Sequence, residues 1–311
     1  MPATILSAAL VGIDAVPVEI ESDVSNGLPA FVIVGLPDAA VQESRERVKT
    51  ALRNGGFSFP RTRLTINLAP ADIRKAGPAY DLPIAVSIMV GSGELKAEAT
   101  RGSLFVGELA LDGQVRPVAG ALSAALLAKA LGLSAVYVPE ENAEEAALVP
   151  GLEAYGVPSL LALVEHLRGS ARLAPKAPAP PKPASGPEAH GFGSIAGLEH
   201  AKRAMEIAAA GGHNILLSGS PGAGKTLLAR SMPSILPPMS HEEALEATRI
   251  HSVARLLPKE AALLTERPWR APHHTASTAA VIGGGTNPHP GEVTLAHRGV
   301  LFLKSMTLHS A

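Results

Sequence analysis

The sequence contains no cysteine, which excludes disulfides, thiolate metal ligands and cysteine nucleophiles. Aromatic residues are scarce, at 3% against 46% hydrophobic residues overall, so the chain is an Ala-, Leu-, Val- and Gly-rich globular sequence rather than a disordered one. An excess of either charge is also missing: 27 Lys and Arg face 28 Asp and Glu. That balance excludes a polybasic tail and a strongly acidic mimic, while leaving room for a local nucleic-acid patch. No apolar run is long enough for a membrane span, because the tract from Ala119 to Ala128 stops at Lys129, and no basic stretch precedes an apolar core at the N-terminus. These absences predict a soluble, cytoplasmic protein without membrane contact. A last absence is local. No aspartate follows Asp112, so the C-terminal part has only glutamates for carboxylate chemistry.

What is present divides the chain. At roughly 150 residues per domain, 311 residues suggest about two domains. Residues 171–190 read ARLAPKAPAPPKPASGPEAH, a Pro- and Ala-rich stretch that cannot pack a core and favours extended chain. The expected organisation is a domain over 1–170, a linker over 171–190 and a second domain over 191–311. The charge skews across this boundary, with 11 basic and 8 acidic residues from 190 onward and ten of the eleven histidines on that side.

Before the linker, short runs bounded by turn residues predict strands at Thr4–Gly12, Val16–Glu21, Ala30–Val34, Arg63–Leu68, Ser103–Gly107 and Val136–Val138. Between them, helices are expected from the Asp38 cap to Arg53, from Leu82 to Met89 and from Val118 to Leu131. This is an α/β pattern of mixed topology. After the linker a helix is expected over Gly197–Ala210, a short strand over Asn214–Ser218 and a helix from Lys225 to Ser231.

The chemistry sits between the last two. Gly219, Ser220, Pro221, Gly222, Ala223, Gly224, Lys225 and Thr226 fit the phosphate-loop pattern G-x-x-x-x-G-K-T between a strand and a helix. Glycines let consecutive amides curl around anionic oxygens, and the helix start adds its positive dipole end. Lys225 can reach the β and γ phosphates, and Thr226 offers a hydroxyl to Mg2+. A nucleoside triphosphate with Mg2+ is the ligand implied. Turnover requires more: a carboxylate to organise the metal and a group to orient water, normally at the end of a second core strand. The strand expected at Val300–Leu303 is followed by Lys304 and Ser305, a cation and a hydroxyl. Glu292 is the nearest acid and is expected to be a turn or strand residue rather than a displaced metal ligand.

Other groupings carry less. Adjacent His273 and His274, with His289 and His297, have poor metal-ligand spacing. Arg267, Trp269, Arg270 and His273 form a basic and aromatic group that could touch a phosphate backbone or equally close a helix end. Gly283, Gly284 and Gly285 are expected to form a hairpin. Ser44, Asp72, Lys75 and Asp81 could be assembled into a hydrolase, although nothing in their spacing places a base beside the serine.

The strings SNGLPAFVIVGLPDAAVQESRERVKTALRNGGFSFP, INLAPADIRKAGPAYDLPIAVSI, GLEHAKRAMEIAAAGGHNILLSGSPGAGKT and RPWRAPHHTASTAAVIGGG resemble the magnesium-chelatase-like AAA+ ATPases of the YifB or ComM competence family. The likeness covers Met1 to about Leu303 apart from the linker. It implies an N-terminal Lon-protease-like domain (ribosomal S5 domain 2-like) and a partial P-loop AAA+ core similar to magnesium chelatase. The Lon-like nucleophile falls at Ala79, and Ala121–Ala125 supply no lysine, so this domain is expected to be inactive and to serve assembly or partner contact. The resemblance also implies an ATP-driven motor that acts on DNA in branch migration as a homo-hexameric ring. The family reads approximately GVLFLDE where this chain reads GVLFLKSMTLHSA, so Lys304 and Ser305 occupy its acidic positions. A frameshift or premature end after Leu303 is the expected origin of that tail, and ATP binding without competent hydrolysis the expected outcome. The alternative is an ATP-binding scaffold or partner-binding protein without motor activity.

Overall fold

A computed structural model of the chain describes residues 3–178, 191–258, 262–285 and 288–304. The chain divides into two compact units, 1–179 and 180–311.

The N-terminal unit runs β1 (Ala3–Val11), β2 (Asp14–Ser25), β3 (Ala30–Val34), α1 (Ala39–Asn54), β4 (Arg63–Ala69), α2 (Asp81–Gly91), β5 (Ser103–Phe105), β6 (Glu108–Leu109), β7 (Val115–Arg116), α3 (Ala121–Ala130), β8 (Ala135–Pro139), α4 (Ala143–Ala146), β9 (Glu153–Val157) and α5 (Leu160–Arg168). Seven strands form one mixed sheet in the order β3-β4-β2-β1-β5-β8-β9. β1 and β2 are an antiparallel hairpin, β2 and β4 are antiparallel, and every other neighbouring pair is parallel.

Residue pattern explains which faces are covered. β2 alternates, with Val18, Ile20 and Ser22 buried and Glu19 and Asp23 exposed, as expected of a strand covered on one face. β8 is buried at every position because helices flank both faces of a parallel segment. α1 is amphipathic and buries Val41, Ser44, Val48, Ala51 and Leu52; Asp38 caps it by accepting the Val41 N–H at 2.8 Å. α2 is apolar almost all round and is buried from Asp81 to Met89, which makes it the central helix of the unit. Leu64, Ile66 and Leu68 of β4 and Phe105 of β5 share its core.

The C-terminal unit runs α6 (Glu199–Gly211), α7 (Lys225–Ser231), α8 (His241–Val253), β10 (Trp269–Arg270), α9 (Thr278–Ile282), β11 (Gly283–Gly284), β12 (His289–Pro290), α10 (Glu292–Leu295) and β13 (Val300–Leu301). β10 pairs parallel with β13, and β11 pairs with β12 as the expected glycine hairpin. The strand expected over Asn214–Ser218 does not form. The segment makes no ladder with any described strand, and Leu216 stays 91% exposed. A strand is stabilised by cross-strand pairs, so an apolar run without a partner does not become one.

Among the described residues no helix is long and apolar enough to cross a membrane.

Candidate functional site

α7 is fixed by its buried side. Leu228 and the following Met232 pack with Met205, Ala208 and Ala209 of α6 and with Ile195, while Leu217 and Val300 lean on the same cluster. This anchors both ends of the 219–226 loop, which itself lies at the surface. The loop needs its glycines. Gly222 and Gly224 both have φ of +81°, where a side chain would be strained. Gly224 is the left-handed residue that turns the chain into α7. The first-turn amides of a helix have no acceptor within it, so the start of α7 presents donors to the loop. Lys225 folds back, its Nζ donating to the carbonyls of Gly219 and Ser220 at 2.7 Å each. A cation held by two loop carbonyls beside open space at Gly222 suits a phosphate-bearing ligand, whose oxygens would displace those weaker acceptors.

The acids tell a different story. β13 leads through Phe302 and Leu303 to an exposed Lys304, and Ser305 lies outside the described residues. Glu292 is committed: both its oxygens accept from Arg270, at 2.5 and 2.7 Å, and that partner holds its carboxyl below the usual glutamate range. It belongs to an ion pair between α10 and β10.

That pair also removes Arg270 from the basic group read in the sequence. Arg267 is equally occupied, donating to the carbonyls of Pro237 and Arg298 at 2.6 Å each and to Glu243 at 3.2 Å. Trp269 stacks on Phe302 at 5.5 Å between ring centroids. Of the four residues only His273 stays exposed. Its Nδ1 accepts the Thr275 N–H and lies 2.7 Å from the Thr275 hydroxyl. Its ring lies 4.1 Å from that of His274. His297 pairs with Glu246 at 3.1 Å, and the described residues contain no cluster of three or more His, Asp or Glu able to hold a metal.

In the N-terminal unit, folding joins two of the four hydrolase candidates. The Ser44 hydroxyl donates to Asp81, which is fully buried. Arg47 grips the same carboxylate through Nε at 2.7 Å and Nη2 at 3.0 Å, and the Leu109 N–H adds a further bond at 3.2 Å. The Asp81 carboxylate raises the Arg47 pKa further above its ordinary value. The carboxylate is fully engaged in these bonds, and the cluster ties α1, α2 and β6 together. Lys75 is buried apart from it and donates to the Pro70 carbonyl, while Asp72 is exposed. Burial lowers the Lys75 pKa, with Asp72 opposing. Arg47 escaped the sequence reading, although its position three residues after Ser44 puts both on one helix face.

Ala79, where the resemblance implied a nucleophile, offers a methyl group, and its carbonyl accepts the Gly107 N–H at 2.9 Å. α3 buries Ala121, Leu122, Ser123, Ala124 and Ala125 without a lysine among them.

Comparison with known proteins accounts for most of the chain. Residues 20–142 match the family described as subunit ChlI of Mg-chelatase, and residues 191–310 match magnesium chelatase, subunit ChlI. The second match extends to residue 310. An uncharacterized protein of Mycobacterium tuberculosis (strain H37Rv) is 47% identical over 299 residues, 96% of this chain and 59% of its own length. YifB of Escherichia coli K12 is 43% identical over 300 residues, covering 96% and 58%. Competence protein ComM of Haemophilus influenzae is 44% identical over 310 residues, covering 98% and 60%. The chain thus spans about three fifths of the length of these relatives. With an α/β, AAA+-like fold and both ChlI-type regions, the chain belongs to the magnesium-chelatase-related YifB/ComM family of ATP-binding proteins.

Proposed function

We propose that this chain binds ATP with Mg2+ through Gly219–Thr226, that it derives from a ComM-like ATP-driven DNA motor, and that Lys304 leaves it without competent hydrolysis. The carrying observation is the loop itself: glycines at positive φ, a helix start anchored from behind, and Lys225 held by two loop carbonyls. Lys225, now on the Gly219 and Ser220 carbonyls, would hold phosphate oxygens of the bound nucleotide. Backbone amides of the loop and of the start of α7 would hold the remaining oxygens, and the Thr226 hydroxyl would be a ligand for the metal. Mg2+, when bound, neutralises charge on the phosphates. Lys304 would set a cation where a carboxylate must organise that metal, and Glu292, engaged by Arg270, does not substitute.

A fluorescent ATP analogue should bind the full chain in Mg2+. Lys225→Ala should weaken binding about 100-fold, since charged hydrogen bonds of up to about 3 kcal/mol are lost. Unchanged affinity would remove the loop as the site. ATP turnover should be equal with and without Lys225→Ala; Lys225-dependent turnover would show that hydrolysis survives Lys304.

The N-terminal unit, in this reading, is a Lon-like domain turned to assembly or partner contact, supported by Ala79 and the lysine-free start of α3. DNA and a homo-hexameric ring come as partners from the family. Binding of a four-way junction that weakens steeply with salt would support the DNA assignment. A second reading, an ATP-binding scaffold without motor activity, is favoured by Arg267 and Arg270, whose guanidinium groups are spent on internal partners. Absence of junction binding alongside intact ATP binding would select it.

A further inference from the structure

The Pro-rich stretch begins as part of the N-terminal unit. After α5 ends at Gly169, residues 171–178 follow the outer edge of β9. The Lys176 N–H donates to the Ala154 carbonyl at 2.7 Å, and Tyr155 forms an antiparallel bridge with Pro175. Lys176 Nζ lies 3.3 Å from Glu144, and Leu173 packs against the main core. This strap caps a sheet edge that would otherwise expose unpaired backbone groups.

One side chain holds its near end. His166 Nδ1 accepts the Leu173 N–H at 3.0 Å, and its Nε2 lies 3.0 Å from the Tyr137 hydroxyl. The rings of Tyr137 and Tyr155 box the imidazole at 5.6 and 4.9 Å. A backbone amide is always a donor. Nδ1 must therefore carry a lone pair, and the single proton of the neutral ring sits on Nε2. A second proton would set N–H against N–H and add charge to a ring packed between tyrosines.

We propose that His166 is a proton-operated latch, holding residues 171–178 on the β9 edge while neutral and releasing them when protonated. The groups facing it set the direction. Arg172 on the strap opposes a charge on the ring and Glu153 of β9 favours one. The Tyr155 hydroxyl is engaged with Glu153 at 2.8 Å, and burial keeps both tyrosines neutral, Tyr137 pushed up to about 12. Lys176 and Glu144 pair with each other farther along. Desolvation is the leading influence on His166 and, with Arg172, lowers its pKa in the docked state. The docked strap thus binds a proton less readily than the released one. Its advantage is complete above the ordinary histidine value of about 6.5 and is lost as pH falls below it. Release would lengthen the tether between the units by eight residues, a reach of roughly 26 Å at about 3.3 Å per residue.

Amide exchange measured by NMR on the full chain, corrected for intrinsic exchange, tests this. Protection at Leu173 and Lys176 should fall about tenfold from pH 7.5 to pH 5.5 as one proton is taken up, while Val138 and Gly156 in the neighbouring strands keep theirs. In His166→Gln, whose amide oxygen can accept the same N–H without titrating, the fall should vanish. Constant protection in the natural chain, or an equal fall in the variant, would overturn the latch. Imidazole nitrogen shifts provide a reading independent of the variant: at pH 7.5 they should report the proton on Nε2, and a proton on Nδ1 would refute the proposal.

Discussion

Replacing Arg47 with alanine is expected to destabilise the N-terminal unit by about 3–5 kcal/mol, because it strands a buried carboxylate without its counter-charge. Asp81 has no exposure and receives two bonds from Arg47. The Ser44 hydroxyl and the Leu109 amide remain after the change, but neither carries charge. Urea unfolding at pH 7.5 measures the loss. All three tyrosines lie in this unit and the lone tryptophan, Trp269, in the other, so tyrosine and tryptophan signals separate the two transitions. The tyrosine midpoint should drop by roughly 1.5–2.5 M for a slope near 2 kcal/mol/M, with the tryptophan transition unmoved. Arg47→Lys should recover only part, since one ammonium cannot reproduce the two-pronged grip. A midpoint within about 0.3 M of the natural chain would mean that the pair adds no net stability.

Gly35→Ala should be comparably severe, at about 3 kcal/mol or more, for steric reasons. Gly35 turns the chain from β3 toward α1 at φ +98°, and an added Cβ would run into the carbonyl group of Leu68 on β4. Backbone in a paired strand cannot swing aside as a side chain can, so overpacking adds to the left-handed penalty. Gly12 supplies the internal comparison: its φ is +65°, but nothing lies within 4 Å of its Cβ position. Gly12→Ala should therefore cost only the conformational part, about 1–2 kcal/mol. Equal losses at the two positions, read from the same tyrosine transition, would disprove the collision at Leu68.

Much of the N-terminal unit could be read directly, because its signals are local. The Asp38 cap, the inward spacing of Val41, Val48 and Leu52, and the turn-bounded strands each report on their own neighbourhood. The 219–226 loop is similar, since its glycines and Lys225 lie within a few consecutive residues. Asn214–Ser218 shows where such reading fails. Its apolar run has strand character, yet a strand also needs a neighbour, and the described residues supply none. Arg267 and Arg270 fail for a related reason: residue type announces a charge, but only folding shows that Glu243 and Glu292 have already claimed it.

Composition and motif order thus settled the α/β class, the G-x-x-x-x-G-K-T pattern at 219–226 and the lack of a carboxylate at Lys304, all matters of residue type over short spans. Tertiary structure decided the rest. It turned Ser44 and Asp81 from a conceivable hydrolase into an ion cluster with Arg47, and it bound the start of a Pro-rich stretch to β9 through His166. Ser44 and Asp81 lie 37 positions apart, and Tyr137 and His166 lie 29 apart. Contacts at such separations depend on how the sheet and helices close on one another, which no local pattern encodes.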